Sequence, residues 1–377
     1  MNTKIGITAM GFYFPQNYVS LEELLLARGE KPGRAVEGLG VQRMAIVARN
    51  EDSITMAANA VENLQCAKEN VGKLIFATEC GLDSAKDNAS YVHDLCGLPD
   101  NCEAYDVKAA CAASTYALWQ VIDWILSGRG KGKLGLVVCS DKAIYKYRSG
   151  AELTGGGGAI AILVSESPNI ISFNSEVGYY KSNTKDFWKP LDSDYAILAG
   201  DGKPSIKSYL DALTFSFRDY LNNGGKQKFD YLIFHTPYAK MVYKAFETLS
   251  ELVPEIKGKF ESMTADSLRA SALVGNIYNG ALYLALASFL ELQNGSIGEK
   301  SVGLYSFGSG CSSIFYRGVV NPEFDNNFDL FAQLERKKKI SPEKYERLRQ
   351  GELTIEEKKG FLLSNIDNQG YRYYTRA

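Results

Sequence analysis

Short blocks of consecutive Val, Ile, Leu and Phe alternate along the chain with longer stretches whose apolar positions recur every three or four residues. That alternation predicts an α/β protein whose strands are covered on both faces. Lys73–Thr78 reads as a strand, followed by a helix over about 85–95. A second strand at 104–108 leads into a helix over 112–126, where Tyr116, Trp119, Ile122 and Ile125 recur at helical spacing. Strands follow at 134–140 and 159–164, the latter entered through four glycines, Gly155 to Gly158. The second half repeats this order. A strand at 231–235 precedes a helix carrying Lys240 and Lys244, then a long apolar helix over 277–292 and strands at 303–307 and 312–317. The segments LIFATE and LIFHTP occupy matching places about 158 residues apart, and the Cys111 and Asn276 segments each open a long helix at a similar offset. A duplicated βαβ-rich unit is therefore expected. From about 321 the chain turns charged and aromatic, which predicts a helical appendage with an extended tail.

Composition narrows the function classes. Of 377 residues, 45% are apolar and 23% charged, which excludes wholesale disorder. A formal charge of -2 excludes a generally basic nucleic-acid binder. The most continuous apolar stretch, 281–290, is about half the length needed to cross a bilayer, so no membrane partner is expected. The opening MNTKIGITAMGFYFP makes a poor signal peptide. Seven cysteines without a C-x-x-C pair read as reduced thiols in the cytoplasm. Two histidines, His93 and His235, leave little room for a multi-histidine metal site, and none is expected.

Reactive groups of buried α/β sheets collect at the carboxyl ends of strands. Four such ends carry Glu79, Cys111, His235 and Ser309. Cys111 precedes a long helix among small neighbours, where the helix dipole is expected to lower its pKa. The competing reading is an inert buried thiol. His235 ends a strand and could serve a thiol nucleophile or simply be a hydrogen-bonded imidazole; His93 reads as structural. Glu79, ending an apolar strand, suits proton transfer to and from carbon if buried, and is otherwise a solvated loop acid. The glycine run lacks a following Gly-Lys-Ser/Thr, so close packing is favoured over phosphate binding. Lys240 and Lys244 share a helix face that meets either an anionic ligand or solvent.

The strings Ala77-Thr-Glu-Cys-Gly-Leu-Asp83, Asp106-Val-Lys-Ala-Ala-Cys111, Lys185-Asp-Phe-Trp-Lys-Pro190, Phe234-His-Thr-Pro-Tyr-Ala-Lys-Met241, Val274-Gly-Asn-Ile-Tyr278 and Ser306-Phe-Gly-Ser-Gly310 run in order along the chain. Together they resemble hydroxymethylglutaryl-CoA synthase, the bacterial form being nearest in length. The resemblance implies a thiolase-like fold of two duplicated α/β halves in five αβαβα layers. Residues 1–166 would carry Glu79 and Cys111, 167–320 would carry His235, Asn276 and Ser309, and 321–377 would form the appendage.

The resemblance also implies chemistry. Cys111 would take an acetyl group from acetyl-CoA, Glu79 would remove a proton from the acetyl methyl, and His235 would protonate the alkoxide formed on acetoacetyl-CoA. Water would then release 3-hydroxy-3-methylglutaryl-CoA. Backbone N–H groups at Cys111 and Ser309 would hold the oxyanion. Tyr145, Thr154, Asp186, Phe187, Asn276 and Ser309 would contact substrate, and Lys240 and Lys244 the CoA phosphates. CoA thioesters are substrates here, so no cofactor is implied. A cytoplasmic homodimer in the mevalonate route to isoprenoids is the expected setting.

One departure stands out: the family's usual aromatic after the nucleophile is replaced by Ala112-Ala113-Ser114, a pattern also similar to ketoacyl synthase III enzymes. Two other readings stay open. One is a polyketide β-branching synthase acting on a β-ketoacyl group bound to an acyl carrier protein. The other is a non-catalytic acyl-CoA-binding scaffold subunit.

Overall fold

The computed structural model describes residues 4–64, 66–191, 193, 195–293, 297–324 and 328–377. A nine-stranded sheet runs through both halves. Its strands in chain order are β1 (Gly6–Tyr13), β2 (Val71–Ala77), β3 (Glu103–Val107), β4 (Leu134–Ala143), β5 (Gly156–Ser165), β6 (Ile171–Lys181), β7 (Tyr231–Phe234), β8 (Ser301–Gly308) and β9 (Ser312–Val320). In space they lie in the order β7-β8-β9-β6-β1-β5-β4-β2-β3. From the β1–β6 seam outward, β1-β5-β4-β2 on one side mirrors β6-β9-β8-β7 on the other, with β3 added at one edge. The LIFAT and LIFHT segments thus close equivalent strands, β2 and β7. The inner strands are mostly apolar because both faces are covered: every residue of β2, β5 and β8 is buried.

Five layers result. Helices α1 (Ser53–Glu62) and α2 (Asn88–Leu95) pack on the outer face of the first half. Helices α3 (Ala113–Leu126) and α6 (Ala281–Leu292) form the middle layer, and α4 (Lys203–Asn222) and α5 (Ala239–Leu252) cover the second half. The central position of α6 explains its sequence, since Ala281 to Leu290 are buried all round. The expected helix over 277–292 begins at Ala281 instead, after a 3-10 turn at Tyr278–Gly280.

The glycine run lies within β5 and works by close approach. A Cβ at Gly156 would come within 2.7 Å of the Val274 and Asn276 carbonyl oxygens. Backbone of the two halves therefore touches here, and the Asn276 N–H donates to the Thr154 carbonyl at 3.0 Å.

The C-terminal residues fold back onto both halves. Lys338–Ile340 pairs in parallel with Asn17–Ser20, and Phe361–Ile366 pairs with Arg372–Arg376 as a hairpin packed on α1. The helix Pro342–Arg349 is tied down by a buried ion-pair network. The Glu152 carboxylate accepts from Arg28 Nη1 at 2.9 Å, from the Tyr345 hydroxyl at 2.9 Å and from the Arg148 N–H at 2.9 Å. Arg349 Nη2 donates to the Tyr145 carbonyl at 2.6 Å. Breaking a buried pair strands its partner's charge. Glu152→Gln is therefore expected to cost about 3–5 kcal/mol, read as a lowered urea midpoint, with Arg28→Met in the same chain recovering part of the loss.

Candidate active site

The first strand of the nucleophile segment, β3, hands the chain to α3 through Asp106 to Ala112. Asp106 accepts from the Asn88 and Ala89 N–H groups at 2.9 Å, capping α2 and fixing the start of the turn. Ala110 takes φ +47, an uncommon conformation for a residue with a Cβ. Cys111 follows, nine-tenths buried, at the start of α3. At the end of β8, a Cβ on Gly308 would sit 2.4 Å from the Ala109 carbonyl oxygen, so only glycine lets Ser309 come this close to the nucleophile turn.

Glu79 leaves the end of β2 and reaches Cys111: Sγ donates to Oε1 at 2.6 Å. A buried Asp141 at the end of β4 organises this approach. Its Oδ1 accepts from the Thr78 hydroxyl at 2.7 Å, the Glu79 N–H at 2.8 Å and the Cys80 N–H at 3.2 Å. Its Oδ2 accepts from Asn279 Nδ2 at 3.0 Å, and Asn279 Oδ1 accepts from the Ser114 N–H at 3.0 Å. Asp141 thereby joins the Glu79 loop, the turn before α6 and the first turn of α3. Sequence reading passed over Asp141 and Asn279, because a carboxylate inside an apolar strand gains meaning only from partners far along the chain.

A cavity of about 100 Å³ opens beside the thiol, walled by Cys111, Tyr145, Thr154, Phe187, His235, Asn276 and Ser309 among others. Residues expected from distant strings thus meet in one place. Asn276 Oδ1 accepts from the Tyr278 N–H at 2.8 Å, and the Thr154 hydroxyl donates to the Ala151 carbonyl at 2.8 Å. Tyr145, Tyr278 and Phe187 form an aromatic collar, with Tyr278 edge-on to both neighbours at 6.3 and 6.0 Å. Tyr278 and Met241 join the cavity without having been singled out by sequence.

Of the expected substrate contacts, one lies off the cavity wall. Asp186 is fully buried off the cavity wall, its Oδ1 accepting from the Gly310 N–H at 2.9 Å, so it braces the loop that carries Ser309. Lys240 and Lys244 are on α5, whose Tyr238 and Met241 sides face the cavity, and neither lysine lines it. His93 bonds the Pro99 carbonyl at 2.9 Å, away from the site.

The electrostatics correct one expectation. Desolvation pushes the Cys111 thiol well above its ordinary value, and the adjacent Glu79 carboxylate pushes it further. The favourable helix end does not outweigh them, so the resting group is a thiol that donates to Glu79 and not a free thiolate. Glu79 itself is raised to about 8, first by desolvation and then by the nearby Asp141 charge. Burial lowers His235 to about 3, which keeps the imidazole neutral, and its Nδ1 is buried without a hydrogen-bond partner among the described residues. A base of raised pKa beside a thiol, with a neutral N–H donor facing the same small cavity, suits carbon–carbon bond formation through a thioester.

Family models give the same reading over the whole length. The model described as hydroxymethylglutaryl-coenzyme A synthase N terminal matches residues 1–169, and its C-terminal counterpart matches 171–253 and 248–374. The chain belongs to the hydroxymethylglutaryl-CoA synthase family. It is an acyl-transferring condensing enzyme with the thiolase-like fold. Among relatives, it is 30% identical to hydroxymethylglutaryl-CoA synthase of Enterococcus faecalis, covering 97% of this chain and 98% of that one. It is 32% identical to the polyketide biosynthesis 3-hydroxy-3-methylglutaryl-ACP synthase PksG of Bacillus subtilis, over 92% and 88%. A solved structure of MvaS in complex with 3-hydroxy-3-methylglutaryl coenzyme A superposes with a TM-score of 0.92 at 31% identity, covering 100% of both chains.

The Asp141 charge predicts a pH effect for this synthase-family site. Asp141→Asn removes a negative neighbour that raises Glu79, so the acid limb of kcat/KM should move to lower pH. The three N–H and O–H donors on Oδ1 would then face an amide, and a loss of about 1–3 kcal/mol of stability should accompany the shift. A pH–rate profile with a parallel thermal melt reads both.

Proposed function

We propose that the chain is a hydroxymethylglutaryl-CoA synthase that condenses acetyl-CoA with acetoacetyl-CoA in the mevalonate route. The observation that carries this reading is the 2.6 Å Cys111 Sγ–Glu79 Oε1 contact at the edge of a cavity that also holds His235, Asn276 and Ser309.

Glu79 accepts the thiol proton as Cys111 attacks the acetyl thioester, and the departing CoA sulfur takes that proton. The carboxylate, now free, removes a proton from the acetyl methyl of acetyl-Cys111. The resulting carbanion attacks the ketone of acetoacetyl-CoA. The neutral His235 imidazole gives its N–H proton to the new alkoxide, and the proton that Glu79 took from the methyl then restores the imidazole, so that both groups end as they began. Backbone N–H groups at Cys111 and Ser309 hold the thioester oxyanion, a contribution of roughly 3–4 kcal/mol per donor in other enzymes. Tyr145, Thr154, Phe187 and Asn276 shape the acyl cavity, Asp186 holds its rim, and Lys240 and Lys244 meet the CoA phosphates beyond the mouth. The seven cysteines are unpaired, as suits a reducing cytoplasm. The half-exposed edge strand β3 offers a backbone rim for a homodimer.

Purified protein given both thioesters should consume acetoacetyl-CoA and release free thiol; no turnover would defeat the reading. A second reading is favoured by the likeness to PksG: condensation on a carrier-protein-bound β-ketone. Rates on acetoacetyl-CoA and on an acetoacetyl carrier protein separate the two.

A further inference from the structure

The Glu79 carboxylate belongs to the wall of a second cavity, of about 300 Å³, that Cys111, His235 and Asn276 do not line. Its other walls include Lys142, Ile144, Lys189 and Ala196. Phe187 and Tyr278 line both cavities and so form the partition between them. The catalytic carboxyl therefore has the thiol on one side and an independent chamber on the other.

This arrangement bears on the last step of the proposed reaction, on whose reading the inference rests. The acyl cavity is about 100 Å³, little more than the space of a few water molecules at about 30 Å³ each. A four-carbon or longer acyl chain on Cys111 occupies that volume, so the water that hydrolyses the thioester must come from another direction. The chamber behind Glu79 is three times larger, is lined by two lysines, and ends on the side chain that accepts the hydrogen bond from the sulfur.

We infer that this chamber is a water-delivery site for hydrolysis of the Cys111 thioester. Water entering from it forms a new C–O bond at the thioester carbonyl and gives a proton to Glu79. The C–S bond breaks with its electron pair on Sγ, and Glu79 returns the proton to that sulfur. The new carboxyl group of the product ionises on the side where Lys142 and Lys189 line the chamber, whose charge favours the carboxylate, and the product leaves with its CoA through the acyl cavity. Acetylation of Cys111 uses the other cavity and does not pass through the chamber.

The test separates the two half-reactions. Ala196→Trp fills the chamber from one of its walls, and Ile144→Trp fills it from another should the first variant fail to fold. Each protein is acetylated with acetyl-CoA and then given acetoacetyl-CoA, and the acetyl and condensed adducts on Cys111 are followed by intact mass as they form and decay. Either tryptophan variant should acquire the acetyl adduct at the wild-type rate and lose the condensed adduct at least tenfold more slowly, while Ala196→Ser matches wild type. A condensed adduct shed at the wild-type rate by a folded tryptophan variant overturns the inference alone. Absence of any adduct in the wild type overturns the synthase reading and the inference with it.

Discussion

Cys111→Ala is expected to reduce turnover of acetyl-CoA and acetoacetyl-CoA by about 10⁴-fold or more, leaving the fold intact. The size follows from the chemistry: without the sulfur no thioester forms, the acetyl methyl is not held against Glu79, and only the bound geometry of two substrates remains. The fold should survive because the side chain lost is small and nine-tenths buried in a turn already crowded by alanines. Loss of the Sγ–H also leaves Glu79 without its donor, so a small shift in stability is expected and not a collapse. Loss of acetoacetyl-CoA absorbance is the readout. Full turnover in Cys111→Ala would remove the nucleophile from the account.

Glu79→Gln should split the reaction. The amide oxygen still accepts from the thiol, and removal of the Glu79 charge relieves part of what raises Cys111, so acetylation should continue, slowed by loss of the base that takes the thiol proton, which then passes to the departing CoA sulfur. The condensation should not, because an amide cannot take a proton from carbon; a loss of about 10³-fold or more is expected, within the range attributed to a positioned general base. In the wild type the same carboxyl, raised to about 8, sets the pH dependence. The base is active when ionised, so kcat/KM should climb with pH through neutrality and level off above about 8. A profile flat from pH 5 to pH 9 would assign proton abstraction to another group.

Much of the scaffold could be read from the chain because strands buried on both faces appear as largely apolar blocks, as in 74–77 and 303–307. The duplication was visible for the same reason: LIFAT and LIFHT close equivalent strands, and the Cys111 and Asn276 turns precede the two central helices. Other elements escaped. In β1 the apolar residues are interrupted by Gly6, Thr8 and Gly11, and the strand is recognisable only once β5 and β6 flank it. In α4, Tyr209, Leu213, Phe217 and Tyr220 stand at helical spacing on the buried face, a signal present in the sequence but not taken up. The charged close of the chain forms a hairpin against α1, since its alternating tyrosines and arginines need a partner surface to become a strand pair.

At the site, the identity of the reactive groups was legible and their electrostatics were not. The helix dipole acting on Cys111 is a local effect, whereas Glu79 arrives from another strand and reverses the sign of the shift. Asp186 likewise reads as a pocket residue beside Phe187, yet its carboxylate turns to the Gly310 N–H. Asp141, which no motif singled out, ties the Glu79 loop to the turn before α6 through five hydrogen bonds, and Asn279 carries the link on to α3.

The central claim, that one thiol and one carboxylate share the condensation, is tested most directly by intact-protein mass spectrometry. Wild type and Glu79→Gln are acetylated with acetyl-CoA and then chased with acetoacetyl-CoA. The account predicts a single acetyl adduct on Cys111 in both proteins, discharged by the chase in the wild type and retained in Glu79→Gln. Equal discharge from both, or an adduct located on another residue, would contradict it.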